Sequence, residues 1–226
     1  MSLPSSFDVS QIRGNLTDAQ KRTAAQTFAH FIGTPSTSFG AEIGRNLKIV
    51  EINVKVPTNE GGEGSSLPES GNEGEGVCWD EVDGVFGTDS RSTERPRVAM
   101  HDAMAQTICE IDVTKNMCNI FGNLHGGCSA YMIDHCSVSA LVSLGIVAGI
   151  DGTGVSQSLS LQWYRPAILG TKLKIISTTV SLDGYIRTAR SELRDRVDNT
   201  LYVEATHSTI NKNAGRKSEK MPEPKL

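Results

Sequence analysis

The chain has 226 residues, enough for one substantial domain or two very small ones. Hydrophobic residues make up 38% and charged residues 21%, and the formal net charge is −4, a composition for a soluble globular core and against a general nucleic-acid binder. There is no run of about 18 apolar residues, and residues 1–14 hold no stretch like a secretion signal, so neither a membrane span nor export is expected.

Five cysteines occur, Cys78, Cys109, Cys118, Cys128 and Cys136, with no Cys-x-x-Cys pair. An odd count without a signal peptide predicts reduced thiols in an intracellular protein, and no structural zinc or other metal is expected.

Residues 16–32 read as a helix. Thr17 and Gln20 fit a capping box at its start, and Ala25, Phe28, Ala29 and Ile32 fall on one face. Residues 47–56 read as a strand, with Val50, Ile52, Val54 and Val56 alternating with Glu51, Asn53 and Lys55. Residues 58–97 are rich in Gly, Glu and Ser and hold ten acids and three bases, a net of −7. Since the whole chain carries −4, the remainder carries +3. Such a stretch cannot bury enough apolar surface to offset its ordering entropy, so a disordered acidic insertion is expected. The patch Val77, Trp79, Val82, Val85 and Phe86 is its one apolar feature.

Order is expected to resume with a strand over residues 98–113, forming a hairpin with residues 47–56 across the insertion. A polar loop, 116–124, leads into a long helix over 126–147, whose apolar face holds Met132, Ile133, Cys136, Ala140, Leu141 and Leu144. Strands follow at 154–164, 172–181, 186–196 and 201–210, punctuated by Arg165-Pro166, Asp183-Gly184 and Asp198-Asn199. One long helix with about six mostly antiparallel strands is an α+β layer. The expected organisation is an N-terminal extension and packing helix (1–45), a single domain (46–210) and a flexible tail (211–226).

The chemistry concentrates between Asn119 and Asp134. Gly126 and Gly127 sit where a loop becomes a helix, and N–H groups there lack internal partners and carry partial positive charge. Glycines let a substrate approach closely, which suits a carbonyl oxygen becoming an oxyanion. Asp134, eight residues on, sits in an otherwise apolar helix, where a carboxylate is costly unless paired or functional.

This stretch resembles the hotdog-fold thioesterases of the PaaI type. The matching features are Asn119, the run Gly122-x-Leu124-His125-Gly126-Gly127, Asp134 nine residues after His125, the strand start Gly154-Val155-Ser156 and the ending Tyr164-Arg165-Pro166-Ala167, and the likeness covers residues 98–210. The resemblance implies a hotdog fold, in which the sheet wraps the long helix, and hydrolysis of acyl-CoA by a homodimer or homotetramer, with no cofactor. It assigns the oxyanion hole to Asn119 and the backbone N–H of Gly127, and loop orientation to His125. Asp134 becomes general base or nucleophile acting across a dimer interface, Ser156 the holder of the attacking water, and Gly126 and Leu124 substrate contacts. The apolar helix face beside Asp134 would line an acyl tunnel. Arg165, Lys172, Lys174, Arg187, Arg190 and Arg194 are candidates for the phosphates of CoA.

The acidic insertion and His135, directly after Asp134, depart from the compact members of that family. Two other functions stay open: a hotdog dehydratase or hydratase using His125 and Asp134 as acid and base, and a non-catalytic acyl-CoA-binding or scaffold protein recruiting a partner through its insertion. Cys128, near a helix start where a thiol pKa can fall, supports a cysteine hydrolase only weakly. The C-terminal Pro224-Lys225-Leu226 is similar to the Ser-Lys-Leu address, so a cytoplasmic or peroxisomal location is expected.

Overall fold

The computed structural model describes residues 9–33, 36–56, 102–182 and 184–211. Helix α1, Asp18–Gly33, begins at the expected capping box: Thr17 N–H donates to Gln20 Oε1 (3.0 Å), and Gln20 N–H donates to Thr17 Oγ1 (3.3 Å). Ala24, Ala25, Phe28 and Ile32 are buried, and the opposite face stays in water. A single turn, α2 (Ala41–Gly44), leads into strand β1, Lys48–Lys55.

Strand β1 departs from the simple alternation. The register slips by one between Ile49 and Glu51, so Ile49, rather than Val50, is buried at that end, while Ile52 and Val54 point inward as expected. A bulge has this effect because side-chain direction alternates with a period of two. Asn53, expected in solvent, is buried and donates to Glu51 Oε1 (2.8 Å). The cause is the N-terminal segment, which covers the outer edge of β1. Arg13 N–H donates to Val50 O and Ile52 N–H to Arg13 O, both at 3.0 Å, and the Asn15 side chain bonds both polar groups of Val54. An edge covered in this way cannot recruit another strand. Gly14, at φ +109°, makes the approach possible, since a Cβ there would lie 1.8 Å from Ile52 O.

Strand β2, Met104–Asp112, pairs antiparallel with β1 in the expected hairpin. It starts later than residue 98; the acidic insertion and its apolar patch lie outside the described residues, as does the tail from 212. After a 3₁₀ turn at Lys115–Met117 comes α3, Gly126–Ala148, closed by Gly149 in the left-handed conformation (φ 69°) with its N–H on Gly145 O. Strands β3 (Val155–Trp163), β4 (Lys172–Ser181), β5 (Ile186–Asp195) and β6 (Leu201–Ile210) complete the fold.

All strand pairs are antiparallel, in the order β1-β2-β4-β5-β6-β3. The chain therefore leaves β2, runs beneath the sheet as α3, and emerges as β3 at the far edge before returning to β4. The sheet wraps α3, which lies mainly across β2, β4 and β5 and is backed by α1. By length and mean hydropathy α3 would pass for a membrane span, but two-thirds (67%) of its most apolar stretch is buried here, as a core helix requires.

Core residues such as Met132, Ile133, Leu141 and Leu144 of α3 meet Ile52, Leu173, Ile175 and Leu193 of the sheet. Buried hydroxyls pair as well: Thr107 of β2 with Ser139 of α3 across this interface (2.7 Å), and Ser177 of β4 with Ser191 of β5 within the sheet (2.8 Å). Pairing removes most of the cost of burying them. Three buried atoms among the described residues lack a hydrogen-bond partner, Arg187 Nε, His207 Nε2 and Thr209 Oγ1, all on the β5–β6 face near the end of the sheet that carries Ser156.

Candidate active site

The loop 119–125 is held by its own backbone and by the loop after β3. His125 N–H donates to Met117 O (2.8 Å), Leu124 N–H to Ala167 O (2.7 Å) and Leu169 N–H to Gly122 O (3.1 Å). Ala167, at the end of the Tyr164-Arg165-Pro166-Ala167 stretch, thus supports this loop through its carbonyl. Asn119 Oδ1 accepts from the N–H groups of Phe121 (2.9 Å) and Asn123 (3.2 Å). That fixes which way the amide points, and its Nδ2 has no partner among the described residues. Leu124 packs against the core.

His125 is the N-cap of α3, and its Nδ1 accepts from Gly127 N–H (2.9 Å). Gly127, expected to supply the free donor, therefore has its N–H engaged. The donor left without a partner among the described residues is Gly126 N–H. The indole of Trp163 lies over this glycine, and Trp163 Nε1–H donates to Ser129 Oγ (3.0 Å), which donates in turn to Gly126 O (2.8 Å). Trp163 was not anticipated; its place in the strand ending was the only signal.

Two turns along α3, the Asp134 side chain is 34% exposed. Ser156 Oγ donates to Asp134 Oδ1 at 2.8 Å, so two residues that the resemblance singled out lie together. A group the sequence reading missed stands behind it. His207 of β6 is fully buried, with Nε2 3.2 Å from Asp134 Oδ1, off the line of a hydrogen bond, and Nδ1 2.6 Å from Ser137 Oγ. The Ser137 hydroxyl makes a second bond, donating to Asp134 O (2.9 Å), so the direction of its bond with His207 Nδ1 follows the histidine tautomer. Asp134 Oδ2 has no partner among the described residues. One carboxylate oxygen is anchored from below and the other is open.

Burial pushes the pKa of His207 below its ordinary value, partly offset by Asp134. His135 is lowered for the same first reason, and its ring meets Tyr131 edge-on at 4.7 Å. A histidine whose pKa falls on folding binds more protons when unfolded, so stability rises with pH. Their contribution is present above the unfolded value of about 6.5 and is lost as the pH drops below it. The unfolding midpoint should fall between pH 7.5 and 5.5, and His207→Gln should reduce that fall. An equal fall in both proteins would contradict this assignment.

The remaining candidates are set apart from this geometry. Burial pushes the Cys128 thiol up to about 11, so it is no ready nucleophile. Cys109, Cys118, Cys128 and Cys136 are free thiols. Arg187 cannot reach a phosphate: it is buried, and its Nη1 donates to the carbonyls of Asp151 and Thr153. Arg190 pairs with Glu204 and Arg194 with Glu192 on the outer face of the sheet. Among the described residues, no group of three His, Cys, Asp or Glu is placed to hold a metal.

Residues 121–204 match the family model of the thioesterase superfamily. That span takes in His125, Gly126, Gly127, Asp134 and Ser156, and leaves Asn119 and His207 just outside. The acyl-coenzyme A thioesterase 13 of Homo sapiens is 26% identical over 106 residues, 47% of this chain and 73% of that protein, and the Mus musculus protein of the same name matches to the same extent. In structure, zebra fish thioesterase superfamily member 2 aligns with a TM-score of 0.52 at 16% identity, covering 84% of this chain and 96% of that one. Residues 121–204 of this chain thus resemble the thioesterase superfamily, and the sheet wrapped on α3 has the hotdog fold.

Proposed function

We propose that the chain hydrolyses acyl-CoA thioesters to a free acid and CoA, with Asp134 as general base. The observation that carries this reading is the two-sided environment of Asp134: Oδ1 receives the Ser156 hydroxyl at 2.8 Å, and Oδ2 is open to hold a water. That water attacks the thioester carbonyl carbon and gives its proton to Asp134. The C–S bond then breaks, and the departing thiolate takes the proton. Ser156 orients the water; His207 positions the carboxylate from behind. The carbonyl oxygen, negative in the transition state, is held by Gly126 N–H and Asn119 Nδ2. Gly127 N–H can join them only if His125 turns away from it.

Such a site needs two copies of the chain. Gly126 and Asp134 lie eight residues apart on one helix, about 12 Å along its axis, too far for both to contact one carbonyl group. A two-fold axis brings the helix start of one copy to the carboxylate of the other. Strand β3 is the natural seam: it is a sheet edge, and seven of its nine residues are exposed, Val155 and Trp163 among them. Unlike β1, it has no covering segment among the described residues.

The test is thiol release from a panel of acyl-CoAs. Free thiol, with no change in enoyl absorbance, is the expected result. Enoyl turnover without thiol would favour the dehydratase reading. Tight binding without turnover would favour the binding protein.

A further inference from the structure

We infer that helix α1, which lies outside the family-matched residues, forms one wall of the acyl pocket and confines the substrate to compact acyl groups of about six carbons. This rests on the proposed thioester hydrolysis. A cavity of about 130 Å³ opens beside the carboxylate, with Asp134 and Ser156 in its lining. Along α3 the wall continues through Val138 and Val142, spaced four apart from Asp134 and so on one face of the helix. The facing wall is α1, through Thr27, Phe28 and Phe31. An acyl group whose carbonyl carbon lies at Asp134 would have this trough for its chain.

The lining is less polar than its residue types suggest. The Thr27 hydroxyl donates to Thr23 O (2.9 Å), and Ser139 is tied to Thr107 and to Cys136 O. With those groups satisfied, the open polar atoms gather at the Asp134 end, beside His135. A polar mouth and an apolar trough suit a thioester whose acyl chain points inward. The volume is close to that of a roughly 150 Å³ apolar cavity known to admit benzene, which sets the scale of about six carbons. Phe31 is 47% exposed, so its ring is free to face the cavity.

The experiment is a chain-length series from acetyl-CoA to hexadecanoyl-CoA on the wild type, Phe31→Ala and Thr27→Leu, alongside calorimetric binding of hexanoate and hexadecanoate to the same proteins. The wild type should prefer hexanoyl-CoA. Phe31→Ala should raise kcat/KM for the long substrates relative to hexanoyl-CoA by about tenfold or more, and Thr27→Leu should lower it for hexanoyl-CoA while sparing acetyl-CoA. Both positions are incompletely buried, and a melting curve checks each fold. Turnover with an unmoved length preference would overturn the inference and leave the hydrolase reading standing. Absence of turnover, with free-acid binding that shifts with these two substitutions, would do the reverse. If neither quantity moves, α1 is no part of the pocket.

Discussion

Asp134→Asn should cut acyl-CoA turnover by about 10²-fold or more, with little change in KM. The substitution keeps the size of the side chain and keeps an oxygen to accept the Ser156 hydroxyl, so the pairing at 2.8 Å can survive. It removes the charge and the proton acceptor. A loss confined to kcat identifies an interaction made in the transition state rather than in binding. The measurement is steady-state thiol release, with circular dichroism and sedimentation to show an intact fold and assembly. Retained turnover would move the base elsewhere, and a loss accompanied by unfolding would leave Asp134 a structural residue.

Gly126→Pro should lower kcat by about 10²–10³-fold, the usual cost of losing one oxyanion donor. Gly126 is the first residue of α3, the position at which proline is best tolerated in a helix, because its missing N–H has no helical partner there. The preceding residue, His125, already has the extended backbone (φ −66°, ψ 133°) that a following proline demands. A Cβ at this position would meet the Trp163 ring at 3.6 Å, an ordinary contact. The substitution therefore deletes one N–H and little else. Gly126→Ala, which keeps the N–H, is the control and should retain most of the activity. Equal rates for the two variants would remove Gly126 from the oxyanion hole.

Much of this could be read from the chain before any coordinates. The capping box of Thr17 and Gln20 and the 23-residue α3 lie where sequence periodicity and spacing placed them, and Ser156 lies beside Asp134, two positions that only the family resemblance had connected. What escaped was non-local. The bulge in β1 depends on pairing with β2, and the burial of Asn53 on a segment some forty residues earlier. His207 sits in a strand whose alternation marks it as inward, yet nothing in residues 201–210 says that α3 puts Asp134 opposite it. The resemblance assigned the donor to Gly127, and nothing in the sequence shows that the His125 imidazole engages that N–H. Arg187 looked like a surface cation because its buried partners are backbone carbonyls, which leave no trace in a sequence.

The proposed site is shared between two copies, with the helix start from one and Asp134 from the other. Mixing chains that carry Gly126→Pro with chains that carry Asp134→Asn tests it most directly. Each parent alone should be nearly inactive. After subunit exchange, random pairing in a two-fold dimer makes about half the dimers mixed, each with one intact site and one doubly damaged, so about a quarter of wild-type activity should return. A mixture that stays as inactive as its parents, with exchange verified by mass, would contradict the shared site.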